Sequence, residues 1–350
     1  MRIGWRGAFG VAISVVLLWW TLRGESLASV WGVLQTSNVG LFVLAAAIAT
    51  LAFPMRAVRW RYILEPAAGT IAFGPLWRAT AIGMMVNNVA VARAGEPVRA
   101  FVLARTTRRV SFTAALASLI VDRVFDSVIV LLLLLVVVSL PGFPSGAEIL
   151  GVPVDRLLLS GAGIALAAVV ALTVIAIYPD RMVRVWEAVL GRVAPGLMER
   201  GRGIVLSFGT GLGVLRDPRR SAIVFAWALA QWLLNGASFW IAFLAVGLDA
   251  PFTAALFMQS LLAAAVALPS APGFFGVFEA AAKVSLSVYG VDDTLAVSYA
   301  LGYHVLSFIP ITVIGFWYAG RLGLHLKDLG ARQREADSSG RDAGGEGSST

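Results

Sequence analysis

Along most of this chain apolar residues run on for a score of positions before charge interrupts them. A helix that crosses the ~30 Å hydrocarbon core needs about 20 such residues. Six stretches meet that length as full spans: about 7–23, 39–58, 113–139, 157–178, 221–247 and 296–320. Two further apolar stretches, about 74–108 and 252–290, are long enough for two half-length arms each, but both break in the middle. The first break is NNVAVARAGEPVR, Asn87 to Arg99; the second is LPSAPGFFGVFE, Leu268 to Glu279.

Non-helical backbone at membrane depth is tolerated only where it is buried in protein or lines a cavity. Paired interruptions in corresponding halves point to a transporter's binding site. The two broken stretches therefore read as re-entrant hairpins; a pair of ordinary tilted spans at each place is the plainer alternative. The fold class expected is an all-α polytopic membrane protein of six full spans plus two re-entrant hairpins.

Arginine placement orients the spans by the positive-inside rule. Arg2 and Arg6 set the N-terminus in the cytoplasm, and the nearly uncharged 24–38 segment reads as an outer loop. Arg56, Arg59 and Arg61 return to the inside, as do Arg105, Arg108 and Arg109 after the first hairpin. The 140–156 loop, with Glu148, Asp155 and Arg156, lies outside; the 179–220 loop, with eight arginines against four acids, lies inside. Asp249, Asp292 and Asp293 flank the second hairpin, which then opens outward. The order span, span, hairpin, span occurs twice with opposite orientation, so an inverted-topology repeat is expected. Its parts are a first repeat over 1–140, an external linker over 141–156, a second repeat over 157–326 and a cytoplasmic tail over 327–350. Met182, Val185, Trp186, Val189 and Leu190 are spaced for an amphipathic interfacial helix within 179–220. From about Ala331 the chain has almost no apolar residues and is expected to be disordered. The run from Ala8 to Trp20 resembles a signal peptide, but an uncleaved first helix is simpler because more spans follow.

Composition agrees with this reading. Of 350 residues 59% are hydrophobic and 14% charged, mean hydropathy is +0.83, and a soluble domain carries roughly 25% charged residues. The net charge of +8 rests on arginine, with Lys283 and Lys327 the lysines. It marks cytoplasmic loops and anionic headgroups rather than nucleic acid. With no cysteine and two histidines, His304 and His325, neither a thiolate nucleophile nor a metal site is expected, and no cofactor. No phosphate loop or nucleophile constellation is found, so no catalytic residue is assigned.

Candidate chemistry gathers at the breaks. A charge at the bilayer centre costs about 2.5–3.5 kcal/mol on insertion scales, and Arg93, Glu96 and Arg99 lie within seven residues. The arginines can fork onto a lipid phosphate. Gly95 permits a turn, Pro97 opens the returning half-helix, and that helix N-terminus faces an anion. The same three charges can instead simply neutralise one another. Asp122 and Asp126 share a helical face, and Arg123 can pair with Asp126. These residues form either a clamp on Arg93 or Arg99 or a structural ion network. Arg56, Arg59 and Arg61 read as ordinary interface anchors or as a headgroup-collecting entrance. In the second break Pro272 stops a helix while Gly273 and Gly276 allow close approach. Glu279 and Lys283, four apart, are either a satisfied pair or groups that meet the substrate. His304, read near the start of the last span, is a packing histidine or, with Glu279, part of proton coupling. Trp60 and Trp232 read as packing or interface aromatics.

RAVRWR (Arg56–Arg61), NNVAVARAGEPVRAFVL (Asn87–Leu103), DRVFD (Asp122–Asp126), LPSAPGFFGVFE and YHVLSFIPITVIGFW (Tyr303–Trp317) together resemble the flippase-like family that includes the membrane domain of lysylphosphatidylglycerol synthases. The resemblance covers about residues 8–325. In the bifunctional relatives a soluble aminoacyltransferase domain follows the membrane part. Here the chain ends some 25 residues after the last span, so the resemblance implies the flippase half without the synthase activity. Asp122 departs from the Glu that many relatives carry, with a shorter reach and the same charge. The resemblance implies a carrier in the cell membrane for a phospholipid or polyprenyl-phosphate-linked lipid with an anionic headgroup, and a separate lipid-modifying enzyme or glycosyltransferase is a natural partner. A membrane-embedded headgroup enzyme and a non-transporting partner of a synthase are the alternatives.

Overall fold

The computed structural model describes residues 5–90, 94–107, 109–144, 146–149, 151–154, 212–266 and 271–323, with scattered positions from 156 to 170. The expected span at 157–178, most of the 179–220 loop and the 327–350 tail lie largely or wholly outside the described residues, as does Arg93.

The described residues form ten α-helices. They are α1 (Trp5–Leu22), α2 (Leu27–Thr36), α3 (Val39–Ala68), α4 (Phe73–Val89), α5 (Gly95–Thr106) and α6 (Phe112–Ser139), then α7 (Pro218–Ala245), α8 (Phe252–Ala265), α9 (Val277–Ser287) and α10 (Asp293–Arg321). The helix starts are written locally. Ser26, Asn38, Ser111, Asp217 and Asp292 each accept a backbone N–H from the first turn, which satisfies donors that have no intrahelical partner. Among the described residues the β structure is a two-stranded ribbon, Glu148–Ile149 with Val152–Pro153, in the expected external linker.

Among the described residues three helices, α3, α7 and α10, are long and apolar enough to cross a membrane, and α1 with α2 would make a fourth span bent by 81°. This corrects the sequence reading in two places. The 24–38 segment is largely a helix rather than a loop. The 28-residue α6, expected as a full span at 113–139, is long enough at ~1.5 Å per residue but is not among these three, with Asp122, Arg123 and Asp126 in its apolar length. The outer faces of α1, α3, α6 and α10 expose large apolar side chains, among them Val16, Trp19, Leu51, Val136, Val313 and Trp317. So much contiguous apolar surface suits lipid, not water.

The core is divided end to end. Helix α3 packs along α7 and against α4, α6 and α10. Its C-terminal half (Ala57, Trp60, Ile63, Leu64) shares a cluster with α4, α5, the start of α6 and the start of α7. Its N-terminal half (Phe42, Ala45, Ala49) shares another with the end of α7, α8, α9 and the first half of α10. The α4–α5 pair thus packs at one end of the long helices and the α8–α9 pair at the other. The helices approach closely through small residues, as membrane helices do. A Cβ on Gly315 of α10 would lie 2.2 Å from Met85 Cβ and 2.6 Å from the Ala81 carbonyl of α4. Gly315→Leu is therefore expected to cost on the order of 2 kcal/mol by overpacking, read as a lowered Tm in detergent. An unchanged Tm would show that α4 and α10 separate freely.

Candidate functional site

Helices α3 and α6 bring their charges face to face. Arg59, fully buried, sends Nη1 to Asp126 Oδ1 at 2.7 Å and Nη2 to Asp122 Oδ1 at 2.5 Å, the latter as an ion pair without hydrogen-bond alignment. Asp126 is the hub. It also accepts from Arg56 Nη2 at 3.2 Å, Arg123 Nη1 at 3.3 Å and Trp232 Nε1 at 2.9 Å. Arg99 of α5 is fully buried and stacks on Trp60, its guanidinium carbon 4.1 Å from the ring centre. Its carboxylate contacts are ionic only, Asp122 Oδ2 at 3.6 Å and Glu96 Oε2 at 3.7 Å. Trp60 is itself fixed by donating to Ser118 Oγ at 2.8 Å. Glu96 also pairs with Arg123. Among the described residues, four guanidinium groups (Arg56, Arg59, Arg99, Arg123) thus meet three carboxylates (Glu96, Asp122, Asp126), one positive charge in excess within that group.

A cavity of about 620 Å³ opens beside this cluster. Arg56, Glu96 and Arg123 line it together with Asn87, Asn88 and Asn235. The remaining wall is largely aromatic: Phe53, Phe239, Phe274, Phe278 and Phe308. One cavity therefore joins a charged, slightly electropositive surface to an apolar one.

Both breaks meet at this cavity. In the first, Asn87 Oδ1 accepts the N–H of Gly95 at 2.9 Å and so caps the returning helix α5. A Cβ on Gly95 would fall 2.3 Å from that oxygen and from the Gly83 carbonyl. Gly95 thus supplies space rather than the turn expected of it. Asn88 Nδ2 donates to Thr312 Oγ1 of α10 at 2.7 Å. In the second break, Pro272–Phe274 make a single 3₁₀ turn, and Gly273, Phe274 and Gly276 all have positive φ. Gly273 faces the Asn88 carbonyl of the first break. Glu279 turns back to accept the Gly276 N–H at 2.6 Å, and its other oxygen lies 2.7 Å from His304 Nδ1. His304 Nε2 lies 2.8 Å from the Gly273 carbonyl.

Arg56, Glu96, Arg123, Gly273 and His304 thus share the cavity wall, with Arg59, Arg99, Asp122 and Asp126 behind it. Three expectations are corrected. Arg59 is no entrance residue, because α3 runs ten residues past its expected end and carries Arg59 into the core. Arg61 stands apart over the Tyr62 ring. Glu279 and Lys283 turn to different partners: Lys283 reaches the Thr21 carbonyl, Glu25 and Asp293 at 3.2, 3.2 and 3.1 Å. His304 stands not near the start of its helix but ~17 Å along it, at ~1.5 Å per residue. Asn87, Asn88, Asn235, Trp60 and Trp232 were not singled out as site residues. A lone amide such as Asn235 inside an apolar span was the available signal.

The family profile of the lysylphosphatidylglycerol synthase TM region matches residues 7–315. The chain is similar to the UPF0104 membrane protein PH1989 of Pyrococcus horikoshii, 21% identical over 87% of this chain and 93% of that one. It is 26% identical to a UPF0104 membrane protein of Methanothermobacter thermautotrophicus over 74% of this chain and 76% of the relative. It is also 25% identical to the glycosyltransferase AglD of Haloferax volcanii over 82% of this chain, a match that spans only half of that protein's length.

Proposed function

This chain belongs to the family of lysylphosphatidylglycerol synthase transmembrane regions, and we propose that it is a carrier moving an anionic lipid, a phospholipid or a polyprenyl-phosphate-linked lipid, between the leaflets of the cell membrane. The observation that carries the reading is the cavity where the two breaks meet. Its charged side, with one positive charge in excess among the described residues, suits a phosphate; its phenylalanine side suits the first carbons of a lipid tail. A volume of about 620 Å³ is of the size that holds a small-molecule group, so a headgroup enters while the tails stay in the bilayer. We read α4–α5 and α8–α9 as re-entrant hairpins of an inverted repeat, entering from opposite sides with both termini cytoplasmic. Their packing at opposite ends of α3 supports this, and such repeats rock around a fixed central site.

A second reading, a membrane partner of a headgroup-modifying enzyme, draws support from the half-length likeness to a protein named as a glycosyltransferase. Enzymatic chemistry within the bundle has less support, because Glu96, Asp122 and Asp126 are each engaged by guanidinium groups.

The test is leaflet exchange in proteoliposomes, with tail-labelled phosphatidylglycerol, polyprenyl phosphate and phosphatidylcholine as probes. Arg56 is the arginine to remove, since Asp126 keeps Arg59, Arg123 and Trp232 without it. A charge-assisted hydrogen bond is worth about 1.5–3 kcal/mol, so Arg56→Gln should slow exchange of the preferred anionic probe at least ~10-fold. Equal exchange by the wild type and a well-folded variant would remove the phosphate from this site. The anionic probe that moves fastest names the lipid source.

A further inference from the structure

His304 lies in the cavity wall with oxygen on both sides of its ring. Nε2 faces the Gly273 carbonyl at 2.8 Å and Nδ1 faces Glu279 Oε1 at 2.7 Å. A carbonyl oxygen only accepts, so the hydrogen of the first contact belongs to Nε2. A neutral imidazole has a single N–H. With that N–H committed to Gly273, Nδ1 would turn a lone pair toward a carboxylate unless one more proton lies between them. Glu279 Oε2 offers no alternative role, since it accepts the Gly276 N–H at 2.6 Å. Phe275 and Phe278 flank the ring at 4.4 and 4.5 Å and hold it in this plane.

We infer that His304 and Glu279 together form a proton-binding site, and that the proton it holds travels with the lipid as co-substrate; this rests on the carrier reading above. With the proton bound, on Nδ1 or on the Glu279 carboxyl, the pair has no net charge and both contacts are hydrogen bonds. Release passes the proton to water in the cavity and leaves neutral imidazole beside carboxylate, a net charge of minus one. The remaining N–H then serves one oxygen, and the other ring nitrogen sets a lone pair against its neighbour. If the Gly273 contact is lost, the 273–276 turn loses its hydrogen bond to α10. If the Glu279 contact is lost, the carboxylate that holds Gly276 is repelled. That turn has positive φ at Gly273, at Gly276 and at Phe274, a residue with a side chain. It depends on its neighbours to persist, and it abuts the Asn88 carbonyl of the other hairpin. Proton release therefore loosens the junction of the two hairpins.

The surrounding charges set the sign of the coupling. Arg56 of α3, Glu96 of α5 and Arg123 of α6 line the same cavity as His304. On α9, Lys283 is tied to Glu25 and Asp293. Tyr303 of α10 is paired with Ser238 of α7, and α1 presents the uncharged Ser14. An anionic headgroup in this cavity is repelled by the deprotonated pair and not by the protonated one. Lipid and proton thus favour each other's binding, reciprocally, which is symport. One proton with a singly charged lipid moves no net charge.

The experiment uses vesicles of phosphatidylcholine carrying a trace of tail-labelled phosphatidylglycerol or polyprenyl phosphate, with and without a pH step of one unit. For the wild type, the label is expected to redistribute toward the leaflet facing the more alkaline side, to a ratio approaching ~10 for one proton per lipid. An imposed membrane potential alone should leave the distribution even. Glu279→Gln keeps an acceptor for the Gly276 N–H but not a carboxylate, and should abolish the pH-driven asymmetry; His304→Gln is the second variant. Wild-type exchange that settles at equal leaflets under the pH step overturns the proton site and leaves the carrier reading standing. Asymmetry that persists in either folded variant overturns the assignment to this pair. No exchange of either probe, with or without the step, removes the carrier reading and the proton site with it.

Discussion

Asp126→Ala is expected to destabilise this protein by about 3–5 kcal/mol, the cost of breaking a buried ion pair by removing one partner. Asp126 serves Arg56, Arg59, Arg123 and the Trp232 indole at once. Arg59 is wholly buried, so its charge cannot turn to water when the carboxylate goes. It would keep Asp122, which it already shares with Arg99. The comparison is Glu65→Ala. Glu65 pairs with Arg220 through two side chains that are each about one-third exposed (35% and 29%), and such a pair contributes at most ~1 kcal/mol. Both substitutions remove a carboxylate from an arginine; they differ in the number of partners lost and in the burial of the groups left behind. Thermal unfolding in detergent reads both. The double variant Asp126→Ala/Arg59→Met should be less damaging than the sum of its parts, because it removes the stranded charge with its partner. Equal, small shifts for Asp126→Ala and Glu65→Ala would mean that water reaches Arg59.

What the sequence made legible here follows from what each residue type must do in a membrane. The two breaks stood out because polar and Gly-Pro segments inside apolar runs need partners, and they do meet, Gly273 against Asn88. The 122–126 spacing was readable because a helix puts those carboxylates on one face. The depth of Arg59 was not readable. An arginine that ends an apolar run looks the same whether it anchors at headgroups or turns inward to two aspartates, and only the α3–α6 packing decides. Lys283 was paired with Glu279 by spacing alone, but Glu279 is drawn back to its own helix start and to His304. Trp60 and Trp232 carry no charge to betray them inside spans that tolerate neutral side chains. The 24–38 segment reads as an outer loop because it is nearly uncharged, a charge argument that says nothing against the short helix Leu27–Thr36 found there.

Gly273→Ala isolates the junction of the two breaks when set beside Gly290→Ala. Both glycines sit in the left-handed region, φ +69° and +71°, where a side chain costs about 1–2 kcal/mol. Gly290 has nothing within 4 Å of a Cβ, so its substitution carries that backbone cost alone. At Gly273 the new methyl would lie 2.7 Å from Phe308 Cε2 and 3.3 Å from the Asn88 carbonyl oxygen. Phe308 and Asn88 both line the cavity, so relief of the clash pushes the two breaks apart or tilts the ring into the site. Overpacking of this kind adds roughly 1–3 kcal/mol. Gly273→Ala should therefore unfold at lower temperature than Gly290→Ala by the packing contribution only. Its lipid exchange should fall at least ~10-fold, since a barrier raised by ~1.4 kcal/mol is a tenfold change in rate, while Gly290→Ala exchanges as the wild type does. If the two variants exchange alike, the Gly273–Asn88 contact is scaffold, and the movement of the proposed carrier does not pass through it.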